Sequence, residues 1–270
     1  MRVLAVIPAR LAAVRLPRKP LRDLAGAPLV VRVWERVSGM AIADRVVVAT
    51  ESEDVAGVIR ARGGESVLTR ATHASGTDRV AEVSARPEFR RFDVVVNVQG
   101  DEPFLGAEAV RGSVDQVQAG LPLGTAAVSA PASVLNEPSI VKVVCSDSGR
   151  ALYFSRAPIP FLRDGADRAI QGPLVRQHLG VYAYTPRALA EWVTLPPHPL
   201  ELVERLEQLR ALAAGMVMGV AVVAPAPLMG GIDTEQDLVR ANALWTAAST
   251  SAADDGRRVY HHAIPLGVEA

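Results

Sequence analysis

The stretch that decides the fold runs from residue 3 to residue 21, V-L-A-V-I-P-A-R-L-A-A-V-R-L-P-R-K-P-L. It opens with a continuous apolar run, Val3 to Ile7, which predicts a buried strand that stops at Pro8. An apolar segment with helical spacing begins at Pro28. The loop between them is basic and carries Arg10, Arg15, Arg18 and Lys19. Strand, basic loop and helix in this order are typical of a nucleotide-binding α/β fold, because the loop lies at the carboxyl edge of the first strand, where ligands bind.

The same alternation continues through the first hundred residues. Residues 45–50 and 93–99 are apolar runs that predict buried strands, and Ser66 to Thr69 predicts a short one. Helices are predicted over Glu53 to Arg62 and, from the S-x-x-D start at Ser75, to about Ala85. This β-α-β rhythm predicts an α/β fold with a mainly parallel twisted sheet and helices on both faces.

The rhythm changes in the second half of the chain, where strand-like runs follow one another with few helices between them. We therefore expect an antiparallel excursion over about residues 125–200, within one domain spanning residues 1–245. Residues 199–213 predict a single helix, and residues 234–245 predict the last one. Residues 246–270 are small and polar and are expected to form a loosely ordered tail.

Composition narrows the class of protein. The chain is 49% hydrophobic and 21% charged, as in an ordinary globular domain, and its 29 acidic and 29 basic residues give no field that would favour nucleic acid. No apolar run reaches the ~20 residues that span a bilayer, and no secretion signal is recognisable. Cys145 is the single cysteine, which is expected to serve packing. We expect a cytoplasmic protein.

The basic loop lacks both a Walker A motif and a G-x-G-x-x-G motif, so a P-loop or dinucleotide site is not indicated. Arg10, Arg15 and Lys19 are suited to neutralising a triphosphate. Three scattered cations also fit a solvated basic loop, but their place after the first strand favours the phosphate site.

Two carboxylates complete this site in the sequence. Asp101 follows the strand of residues 93–99, and one or two such carboxylates are what Mg²⁺ on phosphates requires; Asp101 also fits a turn. Asp233 lies in G-G-I-D-T-E-Q-D, where Asp233 or Thr234 could instead cap the last helix with Asp237.

Taken together, these residues resemble the 3-deoxy-manno-octulosonate cytidylyltransferase family, also called CMP-Kdo synthetase. The resemblance covers about the first 245 residues. It rests on ordered motifs: I-P-A-R at 7–10, R-L-P-x-K-P-L at 15–21, H-x-S-G-T-D-R at 73–79, V-N-V-Q-G-D-E-P at 96–103, V-K-V-V at 141–144, A-L-Y-F-S-R at 151–156, H-L-G-V-Y at 178–182, L-E-Q-L-R at 206–210 and G-I-D-T-x-x-D-L at 231–238.

The resemblance implies a nucleotide-diphospho-sugar-transferase (Rossmann-like) fold, a homodimer formed through the antiparallel excursion, and a requirement for Mg²⁺. It implies transfer of CMP from CTP to the anomeric hydroxyl of 3-deoxy-D-manno-octulosonate (Kdo), with release of pyrophosphate, for lipopolysaccharide-type glycan synthesis. Neither nucleic acid nor membrane insertion is implied.

The resemblance also implies roles for individual residues. The triphosphate would be held by Arg10, Arg15 and Lys19, and the metal by Asp101 and Asp233, these five forming the catalytic set. The cytidine and the adjoining part of the sugar site would be lined by Ala9, Ser75, Gly76, Thr77, Arg79 and Gln99. The pocket for the eight-carbon acid would be lined by Arg156, His178, Tyr182, Glu207 and Gln208. From the residues alone, His178 and Tyr182 also fit a packed strand, and Glu207 fits a surface pair with Arg210.

The sequence departs from the family in the basic loop. Arg18 stands where the family has glycine, and Ala13-Val14 replaces a pair of small hydroxyl residues. These departures keep open the alternative of a catalytically impaired nucleotide-binding module. The same reaction on a related 2-keto-3-deoxy sugar acid is a second alternative, because the identity of the sugar depends on a few hydroxyl contacts that spacing does not resolve. Lys19-Pro20 argues against the sialic-acid enzymes, whose corresponding lysine is followed by asparagine.

Overall fold

The computed structural model describes residues 1–12, 15–164, 174–224 and 230–254, with the side chains of the last helix described up to residue 247. Ala13 and Val14, and most of the expected tail, lie outside the described residues.

The strands and helices alternate along the first hundred residues, as the sequence predicts. The strands are β1 (Val3–Pro8), β2 (Asp23–Leu24), β3 (Ala27–Pro28), β4 (Arg45–Thr50), β5 (Glu65–Leu68), β6 (Val94–Asn97), β7 (Leu123–Ser129), β8 (Lys142–Cys145), β9 (Ala151–Ser155), β10 (Arg176–Tyr184) and β11 (Met218–Val223). The helices are α1 (Leu29–Gly39), α2 (Glu53–Arg60), α3 (Gly76–Ala85), α4 (Ala107–Gln118), α5 (Pro186–Trp192), α6 (Pro199–Glu204), α7 (Gln208–Ala213) and α8 (Glu235–Asp254). Short 3₁₀ turns cover Lys19–Leu21, Pro87–Phe89 and Ala132–Asn136.

These elements form two compact units. The N-terminal unit contains residues 2–91, Asn97–Ala107 and α8, and the central unit contains Phe92–Val96 and residues 108–224. The extent of one domain over residues 1–245 and of the dimerisation part at about 125–200 stay predictions.

The N-terminal unit has a parallel sheet in the order β1-β4-β5. Val3 to Ile7 of β1 are all buried, which is the burial expected of a strand covered on both faces. Helix α1 buries its apolar stripe, namely Leu29, Val30, Val31, Val33 and Val37. Val98 N donates to Val6 O at 3.1 Å, which places the segment leading to Asp101 beside β1.

The central unit carries the antiparallel part. Strand β7 pairs in parallel with β11 and antiparallel with β10, while β8 pairs antiparallel with both β9 and β10. Strand β10 changes register between Leu179 and Tyr182. The predicted antiparallel second half is therefore confirmed.

The prediction of one helix over Pro199–Ala213 is wrong. Helix α6 ends at Glu204, the next residue Arg205 adopts a left-handed conformation with φ 56°, and α7 begins at Gln208. The break allows Leu206 to be buried and leaves Glu204 to accept hydrogen bonds from Ser155 Oγ (2.5 Å) and Arg156 N (2.9 Å). These tertiary contacts outweigh the local helical preference.

Helix α8 runs to Asp254 rather than ending near Trp245. In the described part of the chain, no helix is both long enough and apolar enough to cross a membrane.

Candidate active site

The N-terminal unit contains a cavity of about 380 Å³ at the carboxyl end of β1. Its lining includes most of the residues that the sequence predicts for the nucleotide and metal, namely Ala9, Arg10, Arg15, Lys19, Ser75, Gly76, Arg79, Gln99, Asp101 and Asp233. The other lining residues are Pro8, Leu16, Pro20, His73, Ala74 and Gly100. Thr77 is buried and is not part of this lining.

The two predicted metal ligands converge on one cation. Lys19 Nζ donates to Asp101 Oδ2 at 2.5 Å and to Asp233 Oδ1 at 2.8 Å. Arg15 Nη2 donates to the other oxygen of Asp233 at 2.9 Å. Burial acts to lower the pKa of Lys19, but the negative charges and hydrogen bonds of Asp101 and Asp233 outweigh it and the pKa is raised. Lys19 therefore remains an ammonium between the two carboxylates.

Asp233 is free for this contact because a neighbour caps helix α8. Asp237 N donates to Thr234 Oγ1 at 3.2 Å, and Thr234 N donates to Asp237 Oδ2 at 2.9 Å. The alternative in which Thr234 and Asp237 cap the helix is thus the one observed, and it leaves the carboxylate of Asp233 in the cavity.

Glu102 follows Asp101 and stays uncharged at neutral pH. Burial, and then the charges of Asp101 and Asp233, raise the pKa of Glu102 to about 8, while Lys19 acts in the opposite direction. A protonated Glu102 adds no third negative charge beside the pair.

The donor set suits Mg²⁺. Two carboxylates already converge on a compact cation, and carboxylate oxygens are the protein ligands that this hard ion prefers. Among the described residues, no group of three or more His, Cys, Asp or Glu side chains could hold a metal. Asp101 and Asp233 could therefore hold Mg²⁺ only with water or phosphate oxygens as the remaining ligands.

Helix α3 positions the next part of the lining. Ser75 Oγ accepts from Asp78 N at 3.1 Å, and Ser75 N donates to Asp78 Oδ2 at 2.9 Å, so the predicted S-x-x-D start is a complete capping box. Arg79, one turn into this helix, is buried, and its guanidinium lies 2.8 Å from Glu51 Oε2 and donates to Thr69 Oγ1.

Two residues were not predicted as part of the site: Glu51, which contacts the basic loop, and His73, which lines the cavity. Glu51 follows β4, and its Oε1 accepts from Leu11 N at 2.8 Å, which ties the basic loop to this strand end. His73 lines the cavity and lies 2.6 Å from Glu82. The rule that selected Asp101, a polar residue after a buried strand, would also have selected Glu51.

The predicted sugar-site residues lie in the central unit. His178 packs against Phe154 and Tyr182 with ring centroids 4.8 Å and 5.5 Å away, and its Nε2 lies 2.9 Å from Thr125 Oγ1. Burial lowers the pKa of His178 to about 3, so the ring is neutral.

The remaining predicted sugar residues are also engaged within that unit. Arg156 donates from Nε to Glu204 O and from Nη1 to Pro138 O, each at 2.9 Å. Glu207 Oε1 accepts from Trp192 Nε1 at 3.3 Å, and Gln208 is buried. The roles of all these residues toward a sugar stay predictions.

Comparison with known proteins identifies the family. A cytidylyltransferase family profile matches residues 4–218. The chain is 60% identical over 256 residues to a 3-deoxy-manno-octulosonate cytidylyltransferase of Gemmatimonas aurantiaca (strain DSM 14586 / JCM 11422 / NBRC 100505 / T-27), covering 93% of this chain and 98% of that protein. The chain belongs to the 3-deoxy-manno-octulosonate cytidylyltransferase family.

Further members of this cytidylyltransferase family agree. The protein of that name from Syntrophobacter fumaroxidans (strain DSM 10017 / MPOB) is 44% identical over 241 residues, covering 88% of this chain and 94% of its own. A solved CMP:2-keto-3-deoxy-manno-octonic acid synthetase in complex with CTP is 37% identical with a TM-score of 0.83, covering 92% of this chain and 99% of that chain. The resemblance and the predicted fold class are thereby confirmed.

A more distant structure shares the fold alone. The 4-diphosphocytidyl-2C-methyl-D-erythritol synthase of Anaerococcus prevotii DSM 20548 has a TM-score of 0.59 at 14% identity, over 91% of this chain and 98% of that one.

Proposed function

We propose that this cytidylyltransferase transfers CMP from CTP to the anomeric hydroxyl of Kdo and releases pyrophosphate. The observation that carries the proposal is the cavity in which Lys19 and Arg15 meet Asp101 and Asp233, in a chain 60% identical to a named 3-deoxy-manno-octulosonate cytidylyltransferase. The named relatives support the reaction class and the sugar, and the CTP bound in the related structure supports the nucleotide.

The cations of the cavity suit the charge change of the reaction. The sugar hydroxyl attacks the α-phosphorus in line with the departing pyrophosphate, so negative charge accumulates on the leaving oxygens. Arg10, Arg15 and Lys19 line the same cavity and would stabilise that charge by preorganised hydrogen bonds and electrostatics. Positioning and charge neutralisation therefore account for most of the catalysis.

Asp101 and Asp233 would hold Mg²⁺ once Lys19 turns toward the phosphates. Bound Mg²⁺ supplies charge neutralisation for the phosphate oxygens. With Mg²⁺ bound there, the two carboxylates would keep a cationic partner while Lys19 contacts the phosphates.

The central unit would supply the sugar site through Arg156, His178, Tyr182, Glu207 and Gln208. In the structure the Arg156 guanidinium already donates to two main-chain carbonyls. Any contact of Arg156 with the sugar carboxylate therefore uses the donors that remain on that guanidinium.

We also propose that the enzyme is a cytoplasmic homodimer that serves lipopolysaccharide-type glycan synthesis. Large apolar side chains are exposed within the part predicted to dimerise and just after it, with Phe161 80% and Val203 82% exposed. The Ser155–Glu204 hydrogen bond places β9 beside α6, and Leu152 on β9 and Leu202 on α6 are exposed as well. Apolar exposure of this kind is typical of an interaction surface. Sedimentation of the wild type and of Val203→Asp tests it: a dimer that the substitution weakens is expected, and a wild-type monomer contradicts the proposal.

The experiment that tests the reaction is pyrophosphate release with Kdo, Mg²⁺ and each of CTP, UTP, ATP and GTP. We expect release with CTP that depends on both sugar and metal. Heat stabilisation by CTP without release would favour a related 2-keto-3-deoxy sugar acid, which a panel of such acids would reveal, or an impaired nucleotide-binding module. Neither release nor stabilisation would contradict the nucleotide site.

A further inference from the structure

His73 has a fixed orientation at the wall of the cavity. Its side chain is only 8% exposed, and its Nε2 lies 2.6 Å from Glu82 Oε2. Glu82 also accepts from the main-chain N of Arg70 at 3.0 Å and from Arg86 Nη2 at 3.0 Å. The imidazole edge at Nε2 is therefore held against helix α3, which carries Glu82.

The hydrogen bonds around Glu82 determine which ring nitrogen carries the proton. Burial acts to raise the pKa of Glu82, but the donors from Arg70, His73 and Arg86 outweigh it and lower the pKa to about 2. An ionised carboxylate can only accept hydrogen bonds, so Nε2 of His73 must be the donor. In the neutral ring this leaves Nδ1 with a lone pair, as an acceptor.

Nδ1 is open to a ligand. No described residue donates a hydrogen bond to Nδ1, which leaves its lone pair for a ligand. His73 lines the cavity together with Gln99 and Arg79. A lone pair there repels phosphate oxygens and attracts N–H or O–H groups.

We propose that His73 is a specificity-determining residue that reads the nucleotide base, its Nδ1 accepting a hydrogen bond from the exocyclic amine of cytosine. Uracil places a carbonyl oxygen at the same point, where two acceptors would face each other. The inference rests on the proposed function in one respect, that the cavity binds CTP. Phosphates are matched instead by the cations Arg10, Arg15 and Lys19 of the same lining.

Binding of CTP and of UTP to the sugar-free protein tests this directly. Calorimetry at about pH 8.5 gives the ratio of the two dissociation constants. For His73→Phe we expect the preference for CTP to fall about tenfold, mainly through weaker CTP binding, because a single hydrogen bond and its mismatch are lost. His73→Asn can donate as well as accept, and it should narrow the preference less.

Two variants of the supporting residues provide the matched comparison. Glu82→Gln keeps the shape of the side chain but no longer forces Nε2 to donate. The preference for CTP over UTP should therefore become smaller. Arg86→Ala removes one donor from Glu82 Oε1 but leaves the contacts of Arg70 N and His73 Nε2 with Oε2, so Glu82 still accepts from the ring and the preference should stay unchanged. Melting temperatures of all variants show whether a change reflects general loss of structure.

Nitrogen NMR of the free protein shows which ring nitrogen of His73 is protonated. The His73 signals are identified by their absence from the spectrum of His73→Phe. We expect Nε2 to be protonated and Nδ1 to be unprotonated. A protonated Nδ1 in the neutral ring, or equal weakening of CTP and UTP in His73→Phe, would overturn the proposal. CTP binding with the expected preference but without pyrophosphate release would instead contradict the proposed reaction and leave the role of His73 intact.

Discussion

Lys19 Nζ lies 2.5 Å from Asp101 Oδ2. The lysine of the basic loop is therefore the counter-ion of the carboxylate that follows the segment beside β1. The side chains of both residues are largely buried, at 18% and 24% exposure, where such a pair is screened less by solvent than one at the surface. The contact keeps Lys19 and the two carboxylates charge-compensated in this structure.

Asp101→Asn tests whether this carboxylate is a metal ligand. The substitution keeps the size of the side chain but removes its charge, so we expect turnover to fall by about 10²-fold or more while the melting temperature changes little. The measurement is steady-state pyrophosphate release over a range of Mg²⁺ concentrations. Asp54→Asn, an exposed carboxylate that pairs with Arg18, is the control. Wild-type turnover in Asp101→Asn would remove Asp101 from the mechanism.

Lys19→Met tests whether Lys19 has a role beyond its contact with the two carboxylates. Without the ammonium, two carboxylates face each other, and we expect Mg²⁺ to bind more tightly in the absence of nucleotide. Turnover should nevertheless fall and KM for CTP should rise, since a cation of the phosphate site is lost. Calorimetric Mg²⁺ titration and steady-state kinetics measure the two effects. Arg18→Met is the matched control, and unchanged kinetics in Lys19→Met would leave Lys19 a structural residue.

Arg18→Gly tests whether the basic loop is strained at this position. Arg18 adopts a left-handed conformation with φ 54° and ψ 33°, which costs a residue with a side chain about 1–2 kcal/mol. Its ion pair with Asp54 at 2.8 Å is exposed and contributes little. We therefore expect Arg18→Gly to be about 0.5–1 kcal/mol more stable than Arg18→Ala, which loses the same ion pair. Chemical denaturation measures the difference, and the reverse order would contradict the strain.

Gly100→Ala should destabilise the chain where it enters the site. A Cβ at Gly100 would lie 2.7 Å from Pro8 O, in main chain that cannot move without shifting β1. We expect a loss of about 1–3 kcal/mol in the free energy of unfolding, together with lower turnover, because Asp101 is the next residue. Gly106→Ala is the control, since a Cβ there meets nothing within 4 Å. Equal stability of the two variants would show that β1 and this segment can move apart at little cost in free energy, and would contradict the prediction.

The pH dependence of stability should contain two opposing contributions. The pKa of His178 is lowered to about 3, so the unfolded chain takes up this proton first and stability rises with pH up to about 6.5. The pKa of Glu102 is raised to about 8, so its contribution is present below about 4.5 and is lost as pH rises toward 8. Between about pH 4.5 and 6.5 the two slopes oppose each other, each approaching about 1.4 kcal/mol per pH unit.

Variants separate these slopes. Glu102→Gln should make stability rise with pH between about 4.5 and 6.5, and His178→Asn should make it fall over the same window, as measured by denaturation at each pH. Parallel curves for wild type and both variants would show that neither group has the shifted pKa.

The sequence predicted the N-terminal unit closely because its signals are local. The strand Arg45–Thr50 is observed with the predicted bounds, and α3 begins at the predicted capping box. The hairpin of β2 and β3 was missed since each strand has two residues, too few for any periodicity. The helix over residues 199–213 was predicted as continuous because no proline or glycine marks the break at Arg205, which tertiary contacts of Glu204 and Leu206 produce.

The candidate site was predicted as a set of residues but not as a network. Nothing in the spacing indicates that Lys19 bridges Asp101 and Asp233, which lie 82 and 214 positions away. The capping competition at Asp233 could be stated from the sequence, but only the hydrogen bonds of Thr234 and Asp237 resolve it. No role was predicted for His73, because its partner Glu82 lies on the following helix and the sequence does not show that the two side chains meet. The spacing of a single histidine in a motif also does not indicate which ring nitrogen is protonated.

The buried lysine of the central unit has a practical consequence for labelling chemistry. Lys142 is fully buried, and its ammonium donates to the main-chain carbonyls of Glu137, Ile140 and Arg156. Since the chain contains one other lysine, an amine reagent that attacks the folded protein can reach only Lys19 and the N-terminal amine. Reductive methylation with ¹³C-formaldehyde would thus place a single side-chain reporter inside the cavity, and its methyl signals would show whether the ammonium leaves the carboxylates when a nucleotide is added.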